Sequence, residues 1–454
     1  MEKYKIMYLL ADNAGCGYAR VKQPVKYLQK KYPDLFEIQV ITRLSKDMYL
    51  TPDDKKLVDL VVCQRQYSGE VLSHIRLMKK AGIKIVYEVD DALDKISIYS
   101  SAYKIFNDNP HYLLTMQEFL KISDAITVST EYLKQHYNAD YVLPNNIDFE
   151  VWDTISKKDN GETIVIGWAG SSTHYADIKE CVDAVEAVAL KYPNVKVALG
   201  GWDAKEMAMI KESPRGTFPL EVEATILDPE TKEKVLQKIP IIKNLNAIKA
   251  LENIYYTIKE GKLSFLNSDV SDDAIMREFP KEELSEFLTL RGRSTMNGEQ
   301  YYETGRRYFF NKLPADKIID IPWVTNVEKL GNILCHFDIG IAPLEDTSFN
   351  SSKSNIKFLE YSALGIPTVA SKVTPYSSTI VNGETGFLIK PKGTVYLDWV
   401  KALTKLVENK ELREQVGKNA NKFVKENFNI EKNVDLWKDT YLEILGVKNE
   451  KSET

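Results

Sequence analysis

Residues 337–371 read FDIGIAPLEDTSFNSSKSNIKFLEYSALGIPTVAS, and this segment decides the predicted fold. The run 337–342 is short and apolar, which predicts a buried strand, and the polar stretch 343–352 predicts a loop. Helical periodicity over 353–364 is followed by Gly-Ile-Pro and a second short apolar run. This order of strand, loop, helix and strand predicts a βαβ unit, which is the building block of a parallel sheet.

One face of the predicted helix carries Lys353, Lys357 and Glu360, because these residues stand at i, i+4 and i+7. Two lysines in the first turns oppose the helix dipole, whose positive end lies there. A bound phosphate would remove this conflict, since backbone N–H groups and ammonium groups would converge on it. Glu360 could then accept hydrogen bonds from two hydroxyls, such as those of a ribose. The alternative is a solvated face with an ordinary ion pair, and the position after a strand favours the phosphate site.

The same segment resembles the donor-binding region of retaining glycosyltransferases of family 4, a type within the glycosyl transferases group 1. These enzymes have the GT-B architecture, an α/β fold of two Rossmann-like domains facing a central cleft. Glu360, Gly365 and Pro367 match the second half of a family pattern with two glutamates eight residues apart, and Ser352 stands where the first glutamate would be. The resemblance implies that a lysine-bearing loop takes over this region and that the donor contacts are Ser352, Lys353, Lys357 and Glu360.

The composition is typical of a soluble globular protein: 454 residues, of which 44% are hydrophobic and 28% charged, are enough for two or three domains. A formal net charge of −5 disfavours broad binding to nucleic acid. The four cysteines lack CxxC spacing, which favours free thiols in a cytoplasmic protein. The N-terminal apolar run is short and ends in Asp12, which predicts a strand and not a signal peptide. No stretch reaches the roughly 20 apolar residues that cross a bilayer, so at most a peripheral membrane contact is expected.

The first half of the chain alternates predicted strands and helices, which indicates a mostly parallel sheet covered on both faces. The predicted strands are residues 5–11, 37–42, 60–64, 84–89, 125–129 and 141–143. In such sheets ligands bind beyond the carboxyl ends of the strands. The loop 12–17, DNAGCG, follows the first strand, and Gly17 would let the backbone approach a ligand closely. A plain βα turn is an equally good interpretation of this loop.

Asp90 and Asp91 follow the predicted strand 84–89 and should lie at the mouth of the sheet. A carboxylate pair there can orient an acceptor hydroxyl, take its proton or bind a metal, and the alternatives are helix capping or a solvated loop. The subgroup with a lysine-bearing loop often shows a similar acidic pair, which favours a catalytic role without choosing between the two residues. GT-B enzymes usually need no metal, so the resemblance implies no metal site and no cofactor, with a nucleotide-diphosphate sugar as co-substrate.

Residues 144–148, PNNID, resemble the family signature Pro-Asn-Gly-Val-Asp at the end of the first domain. Asn146 replaces the glycine, and asparagine tolerates left-handed backbone geometry. The resemblance implies an acceptor domain over residues 1–155, a donor-nucleotide domain over 156–429, and a last helix over 430–448 that returns to the first domain.

A second strand and loop begin at residues 163–167 and continue as Trp-Ala-Gly-Ser-Ser-Thr-His. Its polar groups can hold a phosphate, and the candidate residues are Gly170, Ser171, Ser172 and His174. His174 could donate to a phosphate when protonated, or hydrogen-bond a leaving-group oxygen, although a surface histidine is an equally good interpretation. Relatives carry an Arg and a Lys in this loop, and Trp168 takes the Arg place here. We expect Lys353 and Lys357 to supply the missing cations.

Residues from about 204 to 314 interrupt the family pattern with an insert that we expect to be largely helical, for example over 241–258. Two arginine pairs with interleaved aromatic residues can bind nucleic acid or glycan rings, and a packing seam is the alternative. The insert is assigned to acceptor recognition or oligomerisation. Trp323 follows a resumed strand, where the resemblance implies stacking on the nucleotide base, and a core position is equally compatible.

We interpret the sequence as a glycosyltransferase that moves a sugar from a nucleotide-diphosphate sugar to a hydroxyl acceptor with retention, in bacterial or phage glycan, glycoconjugate or macromolecule modification. Lys353 would neutralise the departing diphosphate, and Asp90 or Asp91 would address the acceptor hydroxyl. The acceptor can be a glycan, a lipid-linked glycan, a protein or a nucleic acid. The alternatives are a phage-type DNA-modifying glycosyltransferase, a sugar-nucleotide 2-epimerase, or a non-catalytic scaffold that binds sugar nucleotides.

Overall fold

The computed structural model describes residues 3–96, 105–106, 109, 111–170, 174–200, 221–227, 234–240, 256–259, 262–265, 312–321 and 329–447. Contacts divide the chain into two compact units. The larger unit comprises Met1–Ser97, Asn109–Trp202 and Phe309–Thr454, and the smaller comprises Ile98–Asp108 and Asp203–Tyr308. Among the described residues, no helix is both long and apolar enough to span a membrane.

The strands of the described chain are numbered in chain order. They are β1 Tyr4–Leu9, β2 Phe36–Ile41, β3 Leu60–Gln64, β4 Lys84–Val89, β5 Ala125–Val128, β6 Tyr141–Val142, β7 Ile164–Ala169, β8 Val195–Gly200, β9 Glu221–Leu227, β10 Lys234–Pro240, β11 Tyr256–Lys259, β12 Lys262–Phe265, β13 Ile318–Ile321, β14 Ile339–Ala342, β15 Thr368–Ser371 and β16 Gly386–Ile389.

The α-helices are numbered in the same way. They are α1 Gly15–Gly17, α2 Gln23–Lys31, α3 Gly69–Lys80, α4 His111–Ile122, α5 Glu131–Tyr137, α6 Phe149–Trp152, α7 Tyr175–Lys179, α8 Val182–Lys191, α9 Gly331–Leu334, α10 Ser348–Ser352, α11 Ile356–Ala363, α12 Thr374–Ser377, α13 Val395–Glu408, α14 Lys410–Asn427, α15 Ile430–Asn433 and α16 Asp435–Ile444. A π-helical turn, Tyr18–Lys22, joins α1 to α2, and short 3-10 turns span Lys46–Met48, Leu93–Lys95 and Ala315–Lys317.

The first sheet is fully parallel, with the strand order β2-β1-β3-β4-β5-β6. Its central strands β3 and β5 are buried along their whole length, because helices cover both faces of a parallel sheet. The helices have recognisable ends: Thr130 caps α5 by accepting from the N–H of Leu133, and Asn138 closes it in a left-handed conformation. The strands predicted for this half are confirmed to within two residues.

The second sheet is also parallel, with the order β13-β8-β7-β14-β15-β16, so the predicted fold class of two Rossmann-like sheets is confirmed. We call the first sheet with its helices the first lobe, and the second sheet with its helices the second lobe. Both lobes lie in the larger unit. The βαβ element predicted from residues 337–371 is present as β14, α11 and β15.

The helix of this βαβ element is shorter than predicted, and Lys353 does not lie on it. The short helix α10 ends before Lys353, whose backbone is extended at φ −63° and ψ 159°. The helix α11 begins only after Asn355. The expectation that Lys353, Lys357 and Glu360 share one helical face is therefore wrong, and any convergence of Lys353 with the other two depends on the loop.

The smaller unit contains a four-stranded sheet with the order β10-β9-β12-β11. The pairs β9/β10 and β11/β12 are antiparallel, and β12 pairs with β9 in parallel. These described segments of the insert are strands, so the expectation of a largely helical insert is not met in them, and β11 overlaps the end of the helix expected over 241–258. The two arginine pairs of the insert lie outside the described residues.

The last described helix, α16, packs on the first lobe. Trp437 and Tyr441 of α16 belong to the hydrophobic core of that lobe. The hydroxyls of Tyr8 and Tyr441 are 2.6 Å apart, and Lys31 pairs with Asp435 at 2.6 Å. Because α14 packs in the second lobe, the last helices connect the two lobes. The boundaries expected at residues 155 and 429 stay predictions.

Candidate functional site

A cavity of about 240 Å³ lies where loops at the carboxyl ends of both sheets meet, and residues of both lobes line it. The first lobe contributes the loops after β1 and β4, and the second contributes the loops after β7 and β14 together with α11. Six of the predicted site residues line this cavity together: Asp90, Asp91, His174, Lys353, Lys357 and Glu360. These six residues therefore lie together beyond the strand ends, where the rule for parallel sheets predicts a ligand.

Lys357 lies in the first turn of α11 and reaches the end of β7. Its ammonium donates a hydrogen bond to the carbonyl of Ala169 and lies 5.5 Å from the centroid of the Trp168 ring. A Cβ atom at Gly170 would come within 2.9 Å of that ammonium, so the glycine leaves room for it. Burial lowers the pKa of Lys357, and the nearby Glu360 carboxylate opposes this effect. The second glycine loop thus has a lysine from α11 beside it, as expected.

Glu360 lies one turn after Lys357 on the same helix and faces the cavity. Burial raises the pKa of Glu360 to about 7, and the Lys357 ammonium acts in the opposite direction. Both protonation states are therefore populated near neutral pH. A carboxyl group in this state can accept a hydrogen bond from a ligand hydroxyl and, when protonated, can also donate one.

His174 is held by Asp177 of α7, with 2.7 Å between Nδ1 and the carboxylate Oδ2. Burial and the Lys353 ammonium lower the pKa of His174 to about 4. The imidazole is therefore neutral at pH 7, which disfavours the protonated form, and a contact of His174 with a phosphate stays a prediction. Because a carboxylate only accepts hydrogen bonds, Nδ1 carries the proton.

Asp177 also fastens the loop that leads to Lys353, a role that the sequence did not reveal. Its Oδ1 accepts hydrogen bonds from the N–H of Glu345 at 2.9 Å and from Nδ2 of Asn350 at 2.6 Å. The side chain is only 4% exposed. A buried carboxylate that receives three donors holds them strongly, so Asp177 ties α7 to the loop after β14.

Asp90 and Asp91 face the cavity from the end of β4. Their neighbour Arg65 was not predicted from the sequence. Nη1 of Arg65 lies 3.5 Å from Oδ1 of Asp90, which is 8% exposed. Burial raises the pKa of Asp91, the Lys353 ammonium opposes that shift, and the charge of Asp90 adds to it. The acid pair therefore interacts with cations from both lobes, Arg65 from the first and Lys353 from the second.

Cys16 completes a group of three potential metal ligands with Asp90 and Asp91, whose ligand atoms lie within 4.8 Å of one another. Burial raises the pKa of the Cys16 thiol well above its usual value, and the charge of Asp90 adds to the shift. A thiol that stays protonated is a poor ligand, and the guanidinium of Arg65 already supplies positive charge beside the acids. These residues fit a metal ion poorly, and the expected independence from metal stays a prediction.

Among the described residues, three predicted donor contacts do not line the cavity: Gly17, Gly170 and Ser352. Gly17 does not line the cavity, and a Cβ atom there would come within 1.9 Å of the Asp12 carbonyl oxygen, so the glycine serves the tight turn. Gly170 makes room for Lys357, as described above. Ser352 is fully buried and does not line the cavity. The other predicted contacts, Ser171, Ser172 and Trp323, lie outside the described residues.

The signature at residues 144–148 does not use a left-handed backbone. The described non-glycine residues with positive φ are Asp54, Arg65 and Asn138, so the expectation for Asn146 is wrong. The Nδ2 of Asn146 donates to the Pro144 carbonyl at 2.7 Å, and its Oδ1 accepts from Asn433 at 2.7 Å. Its side chain thus connects the signature to the returning C-terminal segment.

Comparisons with known proteins give a family match for one segment and a common fold for the chain. Residues 354–423 match the family model described as glycosyl transferases group 1. An uncharacterized glycosyltransferase of Methanocaldococcus jannaschii is 26% identical over 230 residues. That alignment covers 50% of this chain and 51% of the relative, so the chain spans about half the length of this curated relative.

Two solved structures are similar over nearly the whole chain. Sucrose-phosphate synthase from Thermosynechococcus elongatus has a TM-score of 0.57 at 11% identity, covering 98% of this chain and 100% of that one. Anabaena HepE in complex with UDP-glucose has a TM-score of 0.53 at 11% identity, covering 97% of this chain and 99% of that one. The chain therefore has the GT-B fold of these two structures, and a segment of its second lobe matches the glycosyl transferases group 1 family model.

Proposed function

We propose that the protein is a glycosyltransferase that uses a nucleotide-diphosphate sugar and binds its diphosphate in the cavity between the lobes. The observation that carries the proposal is the meeting of Lys353 and Lys357 with the acid pair Asp90 and Asp91 in one cavity. The group 1 segment at residues 354–423 supports the transferase class, and it contains Lys357. The similar fold of HepE, a protein in complex with UDP-glucose, supports a nucleotide-sugar donor.

The second lobe would bind the donor. The ammonium groups of Lys353 and Lys357 would neutralise the departing diphosphate, where negative charge develops in the transition state. Glu360 would accept hydrogen bonds from the ribose, one turn further along α11. By the resemblance to retaining enzymes, the proposal extends to a transfer that retains the anomeric configuration.

The first lobe would bind the acceptor. Asp90 or Asp91 would orient the acceptor hydroxyl or take its proton, and Arg65 would keep Asp90 in place. Docking of the two lobes around the cavity would exclude water and so limit hydrolysis of the donor. The proposal extends to a reaction without metal, to a cytoplasmic location, and to glycan or glycoconjugate modification in bacteria or phages.

A donor panel tests the proposal. The purified protein is incubated with UDP-, GDP- and ADP-sugars, alone, with simple glycan acceptors or with duplex DNA. Release of the nucleoside diphosphate is measured together with the anomeric configuration of the product. Acceptor-dependent release is the expected result. An isomerised donor without acceptor would point to a sugar-nucleotide 2-epimerase, and binding without turnover would point to a scaffold. Transfer to duplex DNA alone would point to the DNA-modifying class.

A further inference from the structure

Lys353 lies between two serines that both bond to the opposite lobe. It follows Ser352 and precedes Ser354 in the second lobe, at the extended residue between α10 and α11. Its ammonium lies 4.5 Å from the centroid of the Phe349 ring and lines the cavity. The N–H of Lys353 donates to the Asn350 carbonyl at 3.2 Å and closes α10, while the residue itself lies outside both helices.

Ser352 joins the loop to the segment that carries the acid pair. Its Oγ accepts a hydrogen bond from the N–H of Ala92 at 3.0 Å and donates to the carbonyl of Phe349 at 2.6 Å. Ala92 directly follows Asp91, and Ser352 is fully buried. Thr130 of the first lobe adds a longer contact to the Ser352 carbonyl at 3.4 Å.

Ser354 joins the same loop to a series of buried polar side chains in the first lobe. Nδ2 of Asn145 donates to Oγ of Ser354 at 2.8 Å, and Oδ1 of Asn145 accepts from Arg20 at 2.9 Å. Arg20 is itself paired with Glu88 at 2.7 Å, with both side chains buried. Glu88 is the last but one residue of β4, so this series of polar contacts also ends beside the acid pair.

We propose that Ser352 and Ser354 are positioning residues that complete the placement of Lys353 in the cavity when the first lobe is docked on them. This inference rests on the proposed function, because it assigns Lys353 to the departing diphosphate. The loop belongs to the lobe that would bind the donor, yet the hydroxyls of Ser352 and Ser354 both bond to the lobe that would bind the acceptor. Docking of the lobes would therefore bring the ammonium of Lys353 and the acid pair to the bound donor at the same moment. Separation of the lobes would move the ammonium away from the donor.

A double-mutant cycle tests the inference. The variants are Ser352→Ala with Ser354→Ala, Lys353→Ala, and the combination of all three, with Ser73→Ala as the control. Ser73 is exposed, and its hydroxyl bonds within its own helix to the Gly69 carbonyl. We expect the serine variant to lower kcat by about tenfold while the Kd for the intact nucleotide sugar changes little, because the charge that Lys353 neutralises develops only in the transition state.

In the Lys353→Ala background the two serine substitutions should have no further effect on kcat, since they act through the lysine. If the serine and lysine effects multiply, or if the serine variant matches Ser73→Ala, the inference is wrong while the proposed function stands. If the wild type turns over no donor, the proposed function fails and the inference falls with it. Should Ser352→Ala not fold, the same cycle is run with the partly exposed Ser354→Ala alone.

Discussion

The guanidinium of Arg65 lies 3.5 Å from the carboxylate of Asp90, and Arg65 has a left-handed backbone with φ 47°. Non-glycine residues in this region cost about 1 kcal/mol or more, and they persist where surrounding contacts hold them. The N–H of Arg65 donates to the carbonyl of Glu88 at 2.8 Å, directly beside the acid pair. The strained residue therefore brings a fixed positive charge to the buried carboxylate.

Replacing Arg65 with methionine would leave Asp90 buried without its ion partner. We expect the free energy of unfolding in urea to fall by about 2 kcal/mol, since an uncompensated buried charge is costly. The control is Arg76→Met, which breaks an exposed pair with Glu118 and should change the free energy of unfolding by about 0.5 kcal/mol or less. Equal losses in the two variants would show that Asp90 does not depend on Arg65.

Glu360 makes the free energy of unfolding of the ligand-free protein depend on pH. Its pKa is raised from 4.5 to about 7 in the folded state, so the folded state binds more protons than the unfolded chain between these values. The contribution of Glu360 to stability therefore falls as the pH rises through this window. Glu360→Gln should be increasingly more stable than the wild type from about pH 5 to about pH 8, by about 2 kcal/mol at the upper end. Urea titrations of both proteins measure this difference, and a constant difference would contradict the placement of Glu360.

Asp177 should be a strong determinant of stability and donor binding. Asp177→Asn removes the charge that three donors share and puts an amide N–H where Oδ2 accepts from Nδ1 of His174, so we expect a loss of about 2 kcal/mol in the free energy of unfolding. Thermal or urea unfolding measures it. Asp183→Asn is the matched control, because Asp183 is exposed on the next helix and pairs only at the surface. Similar stabilities of the two variants would contradict the fastening role.

Much of the fold was readable from local pattern. The apolar run of β14 and the Gly-Ile-Pro turn before β15 predicted the βαβ unit, and each strand of the first sheet was found near its predicted bounds. The start of α11 was misplaced, because the stretch before it has helical periodicity but is held extended by hydrogen bonds to the first lobe. Such contacts join residues hundreds of positions apart, and no local pattern encodes them.

The candidate site was predictable where it depends on strand ends. Asp90 and Asp91 follow β4 of the first sheet, Lys357 lies on the helix after β14 of the second, and the carboxyl ends of both sheets meet at the cavity. Arg65 and Asp177 were missed, since each is an ordinary polar residue in sequence and gains its role from a buried partner. A polar residue directly after a buried strand was the signal available for Arg65, which follows β3.

The central claim is that the ammonium of Lys353 stabilises a departing diphosphate, and the turnover of Lys353→Ala tests it most directly. With the accepted nucleotide sugar, kcat should fall by about a hundredfold, the cost of losing one donor to developing charge. The melting temperature should stay close to that of the wild type, because the side chain lines an accessible cavity and its backbone contacts are unchanged. Undiminished kcat, or a loss of activity matched by an equal loss of folded protein, would contradict the account.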